Sequence, residues 1–488
     1  MAFAITQNCC NDASCLSVCP VNCIHPTPDE PDFGKTDLLF IDPRSCIDCG
    51  ACADACPVDA ITRVSRLAPD QVIYAELNAD YYRDRAADHL WYAPKFPPPN
   101  VHDIGRISVA VVGTGPAACY AAQAILRTSD ARVTFYDRLR TPGGLARFGV
   151  APDHQGTRRI GEHFRSLFVH PRVTMKLGVH VGADVEPASL ADKFDAVVYA
   201  VGADVDRTFD VPGAELTGSM SARTLVGWYT GHPDVAADVI DLTGIDRVVI
   251  VGNGNVALDA ARILTSDPDS LVGTDIAPHA LRALRSHRVR EVIVLARRGP
   301  EFAAFTRSEC QALVVRPGVE VAVAGSVDAI NGLPLSAPAS ALAGAPVVSL
   351  DSLPTDGRRI VFAFGASPVA LTGSDRVESV DISIGGDVVS VPAQLTLRAI
   401  GYRGSELPGL PFDPETGTIR NVDGRVVDAS GTPVPGTYVV GWAKRGATGG
   451  IGDNKLDAEQ TVDALIADAP ARASKASLRA RLAERIGR

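Results

Sequence analysis

A small α+β head followed by an α/β body, with one βαβ-type domain inserted into another, is the fold class this sequence predicts. Three observations predict it. Two apolar runs, 108–112 and 248–251, each pass through a Gly-x-Gly turn into a helix-compatible segment. That is the strand, tight turn and helix start of a dinucleotide-binding unit. Nine of the eleven cysteines crowd into the first 56 residues, seven of them at metal-ligand spacing. A stretch with three consecutive prolines, Ala93 to Asn100, stands between the two patterns and reads as an extended spacer.

In the head, Cys46-x-x-Cys49-x-x-Cys52-x-x-x-Cys56-Pro57 has the bacterial iron–sulfur spacing. Three thiolates on one tight loop cap three irons of a cubane, and the fourth points toward a second cluster. A zinc site would not need the Cys-Pro end. The earlier run keeps this register at Cys9, Cys15 and Cys19-Pro20, with Asp12 in the second position. Crossing the fourth ligands assigns Cys19, Cys46, Cys49 and Cys52 to a 4Fe–4S cluster. Cys9, Cys15 and Cys56 go to the other, with Asp12 where a thiolate would be. Carboxylate is the harder ligand, so this centre is expected to be 3Fe–4S or an aspartate-ligated 4Fe–4S. Residues 1 to about 65 resemble the two-cluster bacterial ferredoxins, particularly the seven-iron kind. Cys23 is similar to the extra non-ligand cysteine of some of them, and Cys10 reads as a second bystander. Residues 66–92 read as a short helical wrap.

In the body, Gly113 allows the turn, Gly115 lets the backbone approach a pyrophosphate, and Ala118 lets the helix sit close to the strand. With Pro116 and Ala117 they open a helix whose free N–H groups favour an anion. The next strand, Val133 to Tyr136, ends in Asp137, placed for a ribose hydroxyl. Pro142 to His154 is a structured glycine and proline loop. The second unit turns at Gly252-Asn253-Gly254-Asn255-Val256-Ala257. Its next strand, Glu291 to Ala296, ends in Arg297-Arg298 and not in an acid. Paired arginines there suit the 2′-phosphate of NADP by bidentate, charge-assisted bonds. Residues 265–289 form an excursion whose arginines, with Arg288 and Arg290, read as a solvated face. Thr396 to Tyr402 reads as the return to the first domain. Gly441 to Gly452 precede a helix at Leu456 to Ile466, and 467–488 read as a terminal surface helix. Cys119 and Cys310 read as small core residues.

The loop 142–154, Gly252 to Asp259, Arg297 to Pro300 and Trp442 with Gly449 to Ile451 resemble, in this order, the adrenodoxin-reductase family. These are flavoproteins that pass electrons from NADPH to small iron–sulfur proteins. The resemblance spans roughly residues 104–465. It implies FAD against Gly113, Gly115, Pro116, Ala117, Ala118, Asp137, Leu145, Val181, Trp442, Gly449, Gly450 and Ile451. It implies NADP against Gly252, Gly254, Asn255, Val256, Ala257, Arg297, Arg298 and Glu309. It also places His154, Asp259 and Glu309 at the flavin–nicotinamide junction, where a carboxylate beside a histidine favours the charged ring. Two places depart from the family: Asp137 stands where glutamate is more usual, and Gly452-Asp453-Asn454 differs from the common continuation. The expected layout is a two-cluster head at 1–92, a linker at 93–103, an FAD domain at 104–205 and 396–470, an NADP domain at 206–395, and a tail at 471–488.

NADPH gives up two electrons at once, a cluster takes one, and flavin does both. The expected function is therefore a ferredoxin fused to its ferredoxin–NADP reductase, serving an external one-electron protein such as a ferredoxin or a cytochrome P450. Relatives of the glutamate-synthase small subunit or dihydropyrimidine dehydrogenase would need a further substrate domain or partner, and a redox sensor would show no turnover. The net charge is −10, with six Lys and Arg against fourteen Asp and Glu in residues 1–92. An acidic head on a near-neutral body argues against nucleic acid. No apolar run reaches the ~18 residues of a membrane span, and Cys9 leaves little room for a signal peptide. A cytoplasmic protein is expected.

Overall fold

The computed structural model describes residues 2–85, 104, 106–325, 327–334 and 337–486, with side chains to residue 469. The expected linker, 93–103, lies outside the described residues. The head pairs β1 (Phe3–Ile5) antiparallel with a strand at Ile61–Arg63, β2, with the short helix α1 (Ala51–Ala55) before it. Helix α2 (Ile73–Tyr81) packs across them through one buried amide. Asn78 Oδ1 accepts from the backbone N–H of Ile5 (3.1 Å) and Ile41 (2.8 Å), and its Nδ2 donates to Ile5 O and Tyr74 O. All its partners lie within the head, so a buried polar group fixes its assembly with hydrogen bonds that offset its desolvation.

The body opens with β3 (Ser108–Val112), α3 (Pro116–Thr128), β4 (Arg132–Asp137), β5 (Val173–Leu177) and β6 (Ala196–Tyr199). The chain leaves by β7 (Val205–Asp206) and builds a second unit from β8 (Ser219–Ser221), β9 (Arg247–Val251), α4 (Asn255–Thr265), β10 (Glu291–Ala296), α5 (Arg307–Val314), β11 (Val319–Ala324), β12 (Val347–Val348), β13 (Arg358–Phe364) and β14 (Leu395–Arg398). It returns through β15 (Tyr402–Arg403), β16 (Pro433–Val439) and the long helix α6 (Asp453–Ile486).

Two seven-stranded sheets result. In the first, β16, β6, β3, β4 and β5 lie parallel in that order, with two short antiparallel strands beyond β16. In the second, all seven strands are parallel, in the order β8-β14-β9-β10-β13-β11-β12. Their central strands are buried on both faces, which is why β9 and β10 read as unbroken apolar runs between polar ends. Those ends carry a buried ladder: Glu291 accepts from Arg247 Nε at 2.6 Å and Arg359 Nε at 2.7 Å. The three antiparallel strands between 366 and 392 cover the opposite face of the second sheet from α4.

The structure corrects the expected return point. Leu395 to Arg398 is β14, hydrogen-bonded between β8 and β9, so it completes the second sheet. The crossing is made a few residues later, where β15 pairs antiparallel with β7 and the two connecting segments form one short ribbon. A short extended segment that alternates leucine with polar residues, such as Leu395 to Arg398, suits either role; only pairing decides. The tail is likewise not a separate element, since α6 runs unbroken through 486.

Candidate functional site

Both glycine turns sit where the strand order reverses, the position at which doubly wound sheets bind ligands. A Cβ on Gly113 would lie 2.4 Å from Ala200 O, in the segment after β6. A Cβ on Gly252 would lie 2.3 Å from Ala399 O, in the segment after β14. Both glycines also have φ near +110°, so no other residue fits either place. Gly115 and Gly254 are the N-caps of α3 and α4, whose first turns carry Pro116, Ala117 and Ala118, and Asn255, Val256 and Ala257. Gly144 Cα approaches within 3.9 Å of the Cβ position of Gly115, so the start of the short helix over residues 144–148, with Gly143 as its N-cap, meets the first turn as bare glycine backbone. That cradle fits a pyrophosphate.

Thr114, between the two glycines, ties this region together. Its hydroxyl donates to Asp137 Oδ2 at 2.5 Å and accepts from Gly143 N at 3.1 Å. Asp137 Oδ1 accepts from Leu139 N, which leaves lone pairs on both oxygens for a ribose. Leu145 is exposed on the covering loop, whereas the Val181 side chain is buried in the core with Val112 and Tyr136, leaving its backbone for a nucleotide. Trp442 donates its indole N–H to Gly449 O at 3.1 Å and stacks on Tyr402. It thereby braces the exposed loop at Gly449, Gly450 and Ile451. The divergent residues that follow are structural: Asp453 accepts from Gly450 N, and Asn454 Nδ2 donates to Gly450 O.

Arg297 and Arg298 stand exposed just past β10. Arg298 lies over the Phe302 ring at 4.9 Å, and among the described residues no ion pair engages either guanidinium. In the excursion, Arg285 pairs with Asp269 at an exposed edge, as a solvated face would.

Between the two domains the structure gathers a compact charged network. His154 from the covering loop faces Glu309 of α5 at 3.6 Å and Asp259 of α4 at 3.9 Å, both beyond hydrogen-bond range. The nearer acid is Glu309, so the expected His154–Asp259 pair is a three-residue cluster. Asp259 is instead bonded to Arg262 at 2.7 Å. Arg262, 6% exposed, also grips Asp153 through two hydrogen bonds of 2.8 and 3.0 Å. Burial favours the neutral acid at Asp153, but the guanidinium outweighs it and holds the carboxyl well below its usual range. Burial pushes Glu309 up, against the pull of His154 and Arg262. Asp153 and Arg262 were missed from sequence: an aspartate before a histidine, and an arginine on a helix, carry no signal until two domains bring them together.

In the head, the two expected ligand sets line two separate cavities. Cys19, Cys46, Cys49 and Cys52 surround one, together with Phe3 and Cys23. Cys9, Cys15, Cys56 and Asp12 surround the other, together with Ile5 and Cys10. All eleven cysteines are free thiols, and these donor sets fit iron–sulfur clusters. Cys23, expected as a bystander, lies 3.5 Å from Cys19 Sγ, and its thiol brings both Cys19 and Cys46 down to about 6. Asp12 is bonded to the Ser14 hydroxyl, and Lys455 Nζ of α6 lies 3.8 Å from its carboxylate.

Comparison with known proteins agrees with this arrangement. Residues 39–62 match the 4Fe-4S binding domain family, and residues 107–337 match the pyridine nucleotide-disulphide oxidoreductase family. The only two body cysteines among the described residues, Cys119 and Cys310, lie buried on α3 and α5 of different domains, so the body holds no dithiol pair. A probable ferredoxin/ferredoxin–NADP reductase of Mycobacterium leprae is 45% identical over 482 residues, covering 96% of this chain and 86% of that protein. A mitochondrial NADPH:adrenodoxin oxidoreductase of Arabidopsis thaliana is 36% identical over 401 residues, covering 74% of this chain and 82% of that protein. The structure of Mycobacterium tuberculosis FprA in complex with NADPH superposes with a TM-score of 0.69 at 40% identity, covering 76% of this chain and 86% of that one. Fold and site thus define an oxidoreductase with an iron–sulfur head on a flavin and pyridine-nucleotide body. The chain belongs to the ferredoxin/ferredoxin–NADP reductase family.

Proposed function

We propose that this chain oxidises NADPH and delivers its electrons singly, through its own head, to an external one-electron protein such as a ferredoxin or a cytochrome P450. The observation that carries the reading is the meeting of the parts. Two nucleotide turns sit at the switch points of adjoining domains, and the Cys9 to Cys15 loop, which lines one cysteine cavity, packs against Gly452, just past the loop that Trp442 braces. Bound FAD supplies the conversion between a hydride and single electrons. The protein positions the partners: Arg297 and Arg298 take the 2′-phosphate, the α3 turn takes the flavin pyrophosphate, and Trp442 braces the loop over the junction. Anaerobic titration with NADPH, followed by optical and EPR spectra, tests the reading. Flavin bleaching together with a change at a cluster supports it, and bleaching with both clusters unchanged would sink it.

Hydride arrives with two electrons and the electrons leave singly, so a proton must be held or released at the junction. His154 Nε2 is the atom we assign to it, because it faces two carboxylates without a hydrogen bond that would pin its proton. His154→Gln is expected to lower kcat by about 10²-fold, the low end for a positioned acid–base group, and to shift its pH profile at unchanged flavin content and Tm. An unchanged kcat at every pH removes His154 from the mechanism.

The Cys9, Cys15 and Cys56 centre is read as three-iron, since the Asp12 carboxylate is already engaged by Ser14 and Lys455. As isolated in air it is expected to give an oxidised 3Fe–4S EPR signal, and Asp12→Cys to convert it to a stable 4Fe–4S cluster. Two identical stable four-iron centres in the unaltered protein, with no effect of the substitution, would contradict this.

A further inference from the structure

The divergent Gly452 has a physical cause. Its φ is not in the left-handed region, so its own backbone would accept a side chain. A Cβ there would lie 1.9 Å from Cys10 O and 2.5 Å from Asp12 N. The backbone of the Cys9 to Cys15 loop therefore occupies the space a side chain would fill. Three residues on, Lys455 Nζ donates to Asp12 O at 2.9 Å and to Ser14 Oγ at 3.1 Å. A second tight contact flanks the same cavity: a Cβ on Gly156, two residues past His154, would meet Asn8 Nδ2 at 2.4 Å and Val58 O at 2.9 Å. One buried apolar cluster runs without a break from Ile5, Val58 and Ile61 of the head into Val111, Ala121 and Leu465 of the body. Tyr120 of α3, just past the pyrophosphate turn, is buried in the same cluster, against which Cys9 and Cys10 also pack. The other cavity lies further along β1, lined by Phe3 where the first is lined by Ile5, two residues apart on one face of the strand. There Cys49 is exposed and Ile47 is 45% exposed.

We propose that Gly452 and Lys455 seat the Cys9 to Cys15 loop against the flavin-side loop, so that the Cys9, Cys15 and Cys56 centre takes electrons from the body first. The Cys19, Cys46, Cys49 and Cys52 centre receives them second and releases them at the surface. This rests on the function proposed above. Each NADPH oxidised to NADP⁺ yields one proton and two electrons. Each electron reduces the first centre by one, and its transfer reoxidises that centre and reduces the second by one. The seating is specific to a chain that carries its own head, since only the head's backbone requires the glycine.

The test follows the EPR signal of the Cys9, Cys15 and Cys56 centre by rapid freeze-quench after NADPH is mixed with the full-length holoprotein. In the unaltered protein and in Cys49→Ser, the signal is expected to change within one turnover. In Gly452→Leu, ferricyanide reduction, which draws directly on the flavin, is expected to stay unchanged while the signal no longer changes on the turnover timescale. Lys455→Glu, at a partly exposed position, reads the same contact should the glycine variant not assemble its clusters. A signal that changes as fast in both interface variants as in the unaltered protein overturns the proposal. So does a signal that persists in Cys49→Ser, because electrons would then enter by the other centre. Failure of NADPH to bleach the flavin of the unaltered protein would instead overturn the function proposed above.

Discussion

Alanine at both Arg297 and Arg298 is expected to raise the KM for NADPH at least tenfold and to leave the KM for NADH nearly unchanged. The two cofactors differ only by the 2′-phosphate, so only a group that touches this phosphate can separate them. Both guanidinia are exposed beyond the carboxyl end of β10, next to the second glycine turn, without an ion pair among the described residues. Hydrogen bonds to a charged group contribute roughly 1.5–3 kcal/mol each, and 1.4 kcal/mol is about tenfold at 25 °C. Arg298 is already oriented by its stacking over Phe302, so little side-chain freedom is lost when it binds. Arg298→Lys is expected to recover only part of the preference, because a point charge lacks the planar fork. Equal rises for NADPH and NADH would place the 2′-phosphate elsewhere.

Arg262→Met is expected to lower stability by about 3–5 kcal/mol, the usual loss when one partner of a buried ion pair is removed. Three acids, Asp153, Asp259 and Glu309, would lose their shared cation, and they come from both domains. Arg316, 3.6 Å from Asp153, would remain as the nearest guanidinium to that side. Thermal unfolding of the holoprotein measures the loss. Its pH dependence gives a sharper check. Asp153 is held below its usual range in the folded chain, so its contribution is fully present above the unfolded value, ~3.9. It is lost as pH falls through the folded value. Glu309 is held above its usual range, so folding favours its protonated form. Its share is present below the unfolded value, ~4.3, and is lost as pH rises through the folded value. Asp153→Asn is therefore expected to flatten the acid limb of the stability curve, and Glu309→Gln to flatten the fall on its less acidic side. An acid limb unchanged by Asp153→Asn would show that the pair is not formed in solution.

The order of the elements was legible because their signals are local. Iron–sulfur loops are coded by spacing within eleven residues, so Cys46 to Cys56 named its chemistry without a fold, and the crossed ligand sets emerge as two cavities. Each glycine turn is legible because Gly113 and Gly252 meet a constraint of their own backbone as well as of a neighbour. The return of the chain was misplaced for the opposite reason. Thr396 to Arg398 would be extended in either sheet, and the choice lies with β8 and β9, well over a hundred residues earlier. The junction was half legible: His154, Asp259 and Glu309 come from the family resemblance, whereas Asp153, Arg262 and Tyr402 acquire a role only by proximity.

By itself the sequence determined which chemistry the chain carries: the cysteine spacing, the two glycine turns and the paired arginines each bind through atoms a few residues apart, where chain geometry leaves little choice. What only the tertiary structure decided is how the parts face one another. It sets Glu309 nearer than Asp259 to His154, draws Lys455 of the last helix onto Asp12 of the first loop, and packs the Cys9 to Cys15 loop against Gly452 of the body. These contacts join residues up to 443 positions apart, and they depend on how buried surfaces pack, which no local pattern encodes.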